Sequence, residues 1–199
     1  MSEMLEDVQR PRPDDTRPGG RKSGQIVAVP RGRRKRVVIV GGGFAGIAAA
    51  RALRRSDADI ILIDRRNHHI FQPLLYQAAT AVLAPSEIAA PIRQLAEKQS
   101  NVDVMLGEVT GIDLSSRLVD VSCPGVGVRK IEFDYLVIGA GMQPSYFGHD
   151  EFAKYAPGLK TLSDAENIRA KILGAYELAD TTDDEQIIWG SALTDPNAH

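Results

Sequence analysis

Two kinds of apolar pattern alternate along the chain. Apolar runs occupy residues 37–40 (VVIV) and 135–138 (YLVI), and strands are also expected over 59–63 (DIILI) and 102–106 (VDVML). Short, mostly β-branched runs of this kind suit strands covered on both faces. Between 37–40 and 59–63 lie Ile47, Ala48, Ala49, Ala50, Ala52 and Leu53, good helix formers or apolar packers. Strand, helix, strand and third strand predict a βαβαβ unit with a parallel sheet. Shorter, roughly alternating stretches appear elsewhere, over 107–113, 117–122 and 128–133, broken by the turn at 124–127. That pattern predicts a β-meander appended to the parallel sheet.

The remaining segments are less regular. Residues 65–77 are too long and too apolar for a plain turn, and Pro73 interrupts them. A short helix is expected over 78–83, a small element from Pro85, and a helix over 91–98 with Pro91 in its first position. Residues 144–158 read as a loop. The stretch 161–166 contains a serine cap followed by acids, which starts a helix running to about residue 179. An acidic stretch and the apolar patch Ile187, Ile188, Trp189 follow. Residues 1–35, rich in Pro, Arg, Asp and Gly, have little to bury and are expected to be disordered.

Candidate chemistry sits at the end of the first strand. Gly41, Gly43 and Gly46 spell G-x-G-x-x-G between strand and helix. Gly41 allows the turn, Gly43 lets a phosphate approach the backbone, and Gly46 lets helix and strand pack closely. The helix N-terminus then offers backbone N–H groups and the positive end of its dipole to a pyrophosphate. Asp64 ends the second strand at the spacing of the acid that holds an adenosine ribose. The fingerprint stands in its required context, so the expected fold is α/β. It is a Rossmann-like dinucleotide-binding domain over 36–160, with a parallel sheet, flanking helices and a small meander. A second strand end, Gly139-Ala140-Gly141, offers another backbone approach to a ligand.

Composition narrows the remaining options. The 199 residues are 43% hydrophobic and 25% charged, ordinary for a globular chain. No apolar run approaches a membrane span, and the polar start does not resemble a secretory signal. Cys123 is the one cysteine, which argues against a disulfide framework or a redox pair and makes a cytoplasmic setting the default. Residues 1–36 hold ten Lys/Arg against five Asp/Glu. The block from Arg31 to Arg36 is read as a solvated leader rather than a lipid or nucleic-acid site, since no aromatics are interleaved with it. His68 and His69 lack a third ligand at plausible spacing, so they are read as shaping a cofactor-side loop and no metal is expected.

Several stretches carry a resemblance: VVIVGGGFAGIAAARAL, IDRRNHHIFQPLLYQAATAVLAPSEIAAPIR, LGEVTGIDL, DYLVIGAGMQPSYFGHDEFAKYAPGLKTL and SDAENIRAKIL. Together they resemble the type II NADH dehydrogenases, single-subunit, non-proton-pumping NADH:quinone oxidoreductases, from about Arg36 to Leu178. The resemblance implies a flavoprotein whose first fingerprint binds FAD. Gly41, Gly43, Phe44, Ala45 and Gly46 would then contact the pyrophosphate, and Asp64 the adenosine ribose with Arg65 beside the adenine. Val109 would meet the adenine through its backbone, residues 72–77 would approach the isoalloxazine, and Gly139, Ala140 and Gly141 would close on the FAD. The family more often has Thr where this chain has Ala140. NADH and quinone are the implied partners, and peripheral contact with the cytoplasmic face of the inner membrane is the implied location; nucleic acid is not expected. No catalytic side chain is required, because the cofactor supplies the chemistry.

The resemblance also implies missing parts. No second fingerprint for NADH follows Gly158, and the family's later Gly-Asp segment and C-terminal membrane-docking region have no counterpart. The chain therefore reads as a truncated N-terminal portion whose last twenty residues diverge, and weak or substoichiometric FAD is expected of it. A flavin-binding module without turnover is the alternative. A single-domain NAD(P) dehydrogenase ranks last, for want of a Tyr-x-x-x-Lys pair.

Overall fold

The computed structural model describes residues 27–28 and 34–182. In chain order, its first elements are β1 (Val27–Ala28), β2 (Lys35–Val40), α1 (Phe44–Ala52), β3 (Ala58–Asp64) and β4 (His68–Ile70). A 3-10 turn (Gln72–Leu74) leads into α2 (Leu75–Ala79), α3 (Pro85–Ile88), β5 (Ala89–Pro91) and α4 (Ile92–Ala96). Next come β6 (Val102–Leu106), β7 (Glu108–Asp113), β8 (Leu118–Cys123), β9 (Gly127–Glu132) and β10 (Tyr135–Ile138). A second 3-10 turn (Asp150–Lys154) precedes the long helix α5 (Leu162–Thr181).

Four strands form a parallel sheet in the order β10-β2-β3-β6. Val37 pairs with Ile60 on one side and with Tyr135 on the other. Successive side chains of a strand point to opposite faces, and both faces here are covered. Val38, Val40, Ile61 and Ile63 pack on Val119, Val121, Cys123, Ile131 and Phe133 of the meander side. Val37, Ile39, Ile60 and Leu62 pack on Ala50 of α1 and on Ile92. Two covered faces explain why these strands are apolar throughout rather than alternating. The chain passes from β2 through α1 to β3 and on to β6, then returns to the far side of β2 as β10. The direction of travel thus reverses between β2 and β10, and a crevice opens at their carboxyl ends.

The meander β7-β8-β9 is antiparallel, with a register shift between Val109 and Gly111. It acquires a fourth strand from the leader: β1 runs parallel to β9, with Val27 opposite Arg129. These two residues fall in the segment expected to be disordered, and backbone pairing along the edge of β9 holds them. The rest of residues 1–33 and the apolar patch at 187–189 lie outside the described residues. The described end of the basic block is engaged within the fold. Arg34 pairs with Asp57 at 3.1 Å, Lys35 pairs with Asp134 at 3.3 Å, and Arg36 is buried with its N–H donating to Asp134 Oδ2 at 2.8 Å.

Local differences from the sequence reading have physical causes. The helix expected over 78–83 starts earlier, at Leu75, because Leu75, Ala78 and Ala79 form the stripe that packs on Ile88 and on Ala165 of α5. It stops where Ala81 takes a φ of 64°. Pro91 does not open a helix turn of its own. It is the last residue of β5, which pairs antiparallel with β4, and it caps α4 from outside. The cap of α5 is Thr161 rather than a serine. Thr161 accepts from the N–H of Asp164 at 3.1 Å while Asp164 Oδ2 accepts from the N–H of Thr161 at 2.7 Å. This reciprocal box satisfies two donors that a helix start otherwise leaves open.

Candidate functional site

The turn between β2 and α1 is built on two close backbone approaches. Gly41 has a φ of 101°, and its N–H donates to Ile63 O at 2.7 Å. A Cβ on Gly41 would stand 2.3 Å from Gly139 O, and one on Gly46 only 1.8 Å from Gly41 O. Side chains at either position would force apart β2, β10 and the start of α1. Gly43 differs: a Cβ there would meet nothing within 4 Å, because its Cα faces the open crevice. The first helical bond of α1 runs from Ile47 N–H to Gly43 O at 3.0 Å. The N–H groups of Phe44, Ala45 and Gly46 therefore have no intrahelical acceptor, as at every helix start.

Asp64 closes the turn from the neighbouring strand. Its Oδ2 accepts from Gly42 N–H at 2.6 Å and its Oδ1 from Arg66 N–H at 2.7 Å. A carboxylate offers about four lone-pair sites, so acceptor capacity remains on both oxygens. His69 Nδ1 lies 3.2 Å from Gly42 O, and the Phe44 ring meets His69 and Phe71 edge-on at 4.9 and 5.8 Å. His68 and His69 both line the crevice.

The crevice encloses about 650 Å³, within the usual range for a ligand site. Gly41, Gly43, Phe44, Ala45, Asp64, Arg65, Val109, Gly139, Ala140 and Gly141 all line it. Gly46 does not. It is buried behind the turn, where its role is to let α1 sit against Gly41 and Ile39. Of residues 72–77 only Gln72 reaches the wall. Leu75 is buried in the α2–α5 cluster, and Gln77 donates to the hydroxyl of exposed Tyr76. Glu108, Gln143 and Lys160 also line the crevice; no local sequence pattern marks them.

The donor set fits an adenine dinucleotide. Helix-start N–H groups and a glycine with no side chain face the space a pyrophosphate would take. A carboxylate with free lone pairs ends the adjacent strand. Gly107 to Val109 supply backbone beyond it.

Known proteins resemble this chain over most of its length. The pyridine nucleotide-disulphide oxidoreductase family matches residues 35–190. The chain belongs to that family. Among curated relatives, the type II NADH:quinone oxidoreductase NdhA of Mycobacterium tuberculosis (strain ATCC 25618 / H37Rv) is 48% identical over 167 residues, covering 81% of this chain and 34% of that protein. The type II NADH:quinone oxidoreductase Ndh of the same organism is 48% identical over 154 residues, covering 77% and 33% respectively. The structure of NDH2 from Plasmodium falciparum in complex with NADH superposes with a TM-score of 0.70 at 24% identity, over 78% of this chain and 32% of that one, which establishes the shared fold. The chain spans about a third of the length of these relatives. Cys123, at the end of β8, is buried, away from the crevice wall. Among the described residues no helix is long and apolar enough to cross a membrane.

Proposed function

We propose that this chain is the FAD-binding portion of an NADH:quinone oxidoreductase. The observation that carries the reading is the meeting of three backbone features at one switch point: the Gly41–Gly43 turn, the start of α1, and Gly139 of β10. They meet beside a carboxylate, Asp64, already oriented by two N–H groups. The relatives at 48% identity are named for NADH:quinone oxidoreduction, which supplies the electron donor and acceptor classes.

In this reading each part of the wall has a task. The N–H groups of Phe44 and Ala45 and the open Cα of Gly43 receive the pyrophosphate, with the helix start favouring its negative charge. Asp64 accepts from the adenosine ribose hydroxyls, and Arg65 lies at the rim beside the adenine. The backbone of Val109 meets the adenine edge. Gly139 and Gly141 keep the far wall low enough for the cofactor to pass over β10. Ala140 offers no hydroxyl there, so the approach rests on backbone alone. When bound, FAD supplies the hydride- and electron-transfer chemistry, and the protein supplies placement and electrostatics. Contact with a membrane surface and a site for NADH belong to the proposed whole protein rather than to the described residues.

The test is spectroscopic and kinetic. The 199-residue chain, purified and reconstituted with FAD, is expected to retain visible flavin absorbance. NADH oxidation with a quinone acceptor is measured on the same sample. Retained flavin without NADH oxidation restricts the reading to a flavin-binding module. A protein that binds NAD and no flavin overturns it.

A further inference from the structure

Gly42 is the one position of the turn between Gly41 and Gly43 to which the fingerprint gives no task, and three elements close on it. At the end of β3, Asp64 Oδ2 accepts from its N–H at 2.6 Å. Ile92, the first residue of α4, fills the space beside its Cα, where a built Cβ would stand 2.4 Å from Ile92 Cδ1. From β4, His69 Nδ1 lies 3.2 Å from its carbonyl oxygen. A carbonyl can only accept, so Nδ1 carries the hydrogen in this contact, in the neutral ring as in the imidazolium. The contact fixes where His69 stands in the crevice. It is at the glycine turn, with the ring of Phe44, the first residue of α1, edge-on at 4.9 Å.

The strand behind His69 holds it there. His69 is opposite Ala90 in the β4–β5 pair. On one side Asn67 O accepts from Ile92 N–H at 3.1 Å, and on the other Phe71 N–H donates to Ile88 O at 2.8 Å.

What the contact does follows from peptide geometry. Gly42 C=O and Gly43 N–H belong to one planar unit, and in a trans peptide they point in opposite directions. Among the described residues no peptide bond is cis. A hydrogen bond at the oxygen therefore sets the direction of the N–H. That N–H meets no backbone acceptor among the described residues, and Gly43 lines the crevice. Glycine backbones are soft, so a unit between two glycines needs an external hold. Asp64 holds the peptide before Gly42, and His69 holds the one after it.

The geometry points to His69 as a positioning residue for the diphosphate of the bound dinucleotide, an inference that rests on the FAD reading of the crevice. Its Nδ1–H holds the Gly42–Gly43 peptide so that Gly43 N–H is presented to a phosphate oxygen. His69 acts on the ligand through the turn, and a diphosphate meets a donor already turned toward it.

The experiment uses the full 199-residue chain without flavin and measures the binding of FAD, ADP and adenosine by calorimetry. His69→Phe keeps a flat ring against Phe44 and loses the donor. It is expected to bind FAD and ADP about tenfold more weakly, while adenosine, which has no phosphate, stays within about twofold. His69→Gln carries its amide farther out than Nδ1 and is expected to match His69→Phe. His69→Asn, whose Nδ2 can stand where Nδ1 stood, is expected to stay within about threefold of the wild type. If His69→Phe does not fold, the contrast between the Gln and Asn variants decides. Wild-type ADP affinity in the Gln variant, equal losses in the Gln and Asn variants, or a loss of adenosine as large as that of ADP each overturn the proposal and leave the FAD reading standing. A wild-type chain that binds no FAD defeats that reading and this proposal with it.

Discussion

Two glycine turns in this molecule look alike in sequence and differ in what surrounds them. The turn at residues 124–127 joins β8 to β9, and Gly125 sits there with a φ of 71° and nothing within 4 Å of a built Cβ. The turn after β2 has Gly41 at a φ of 101°, with Gly139 O 2.3 Å from a built Cβ. In the meander, glycine answers only a dihedral requirement, which Asn or Asp can also meet. At the switch point glycine answers a packing requirement, because two strand ends and a helix start converge on a few ångströms of backbone. A ligand site made of main chain has to exclude side chains both from the ligand's space and from the seams behind it.

The largest expected effect tests the seam. Gly46→Ala puts a methyl 1.8 Å from a main-chain oxygen, which only a backbone shift can relieve. It is expected to cost about 3 kcal/mol and to lose flavin, whereas Gly125→Ala costs about 1 kcal/mol and keeps it. Chemical denaturation of both variants, read beside flavin absorbance, checks the contrast; equal costs would erase it.

The next effect separates seam from surface. Gly43→Val has room in the fold and a φ of −77° that any residue adopts. Stability is expected to change by about 1 kcal/mol, while FAD affinity falls by roughly 100-fold as the side chain fills the phosphate space. A variant that is folded and still yellow would move the cofactor elsewhere.

The smallest effect concerns the cap that sets one wall of the crevice. Burial works to raise the Asp164 carboxyl, but hydrogen bonds from the N–H groups of Lys160 and Thr161 and the Thr161 hydroxyl hold it below its ordinary value of 3.8. A folded value below the unfolded one stabilises at higher pH. That contribution is present above about pH 4 and is lost as pH falls through the lowered folded value. Asp164→Asn is expected to cost about 1 kcal/mol at neutral pH and to flatten this acid limb of the stability profile. Urea titrations across the acid range decide it; an unchanged limb would assign the acid sensitivity to another carboxylate.

The sequence showed most of the sheet and part of the site, for reasons visible in the residues. Val37–Val40 and Ile60–Ile63 are continuous apolar runs because both faces are covered, and a parallel buried strand has no other way to look. The meander alternates because its outer face is wet. The glycines and Asp64 were legible because their spacing is set by one local turn. The spacing read Gly46 as the glycine that lets helix and strand pack, which its neighbours bear out; the resemblance placed it among the ligand contacts, although it sits behind the turn. Lys160 was not legible, since its partner Gln72 is 88 positions away and nothing local to either residue encodes the meeting. The start of α2 was misplaced for a similar reason: the stripe that decides it packs on Ala165 of a helix far along the chain. The pairing of β4 with β5 escaped notice because three-residue strands are too short to show a period.

One consequence follows from how the Asp64 side chain is held. Its rotamer is already frozen by Gly42 and Arg66 before any ligand arrives, so the entropy of choosing an orientation is lost during folding rather than at encounter. The receiving end of the crevice is preorganised. Differences in affinity among nucleotides there should reflect the shape of the visitor more than any adjustment by the host.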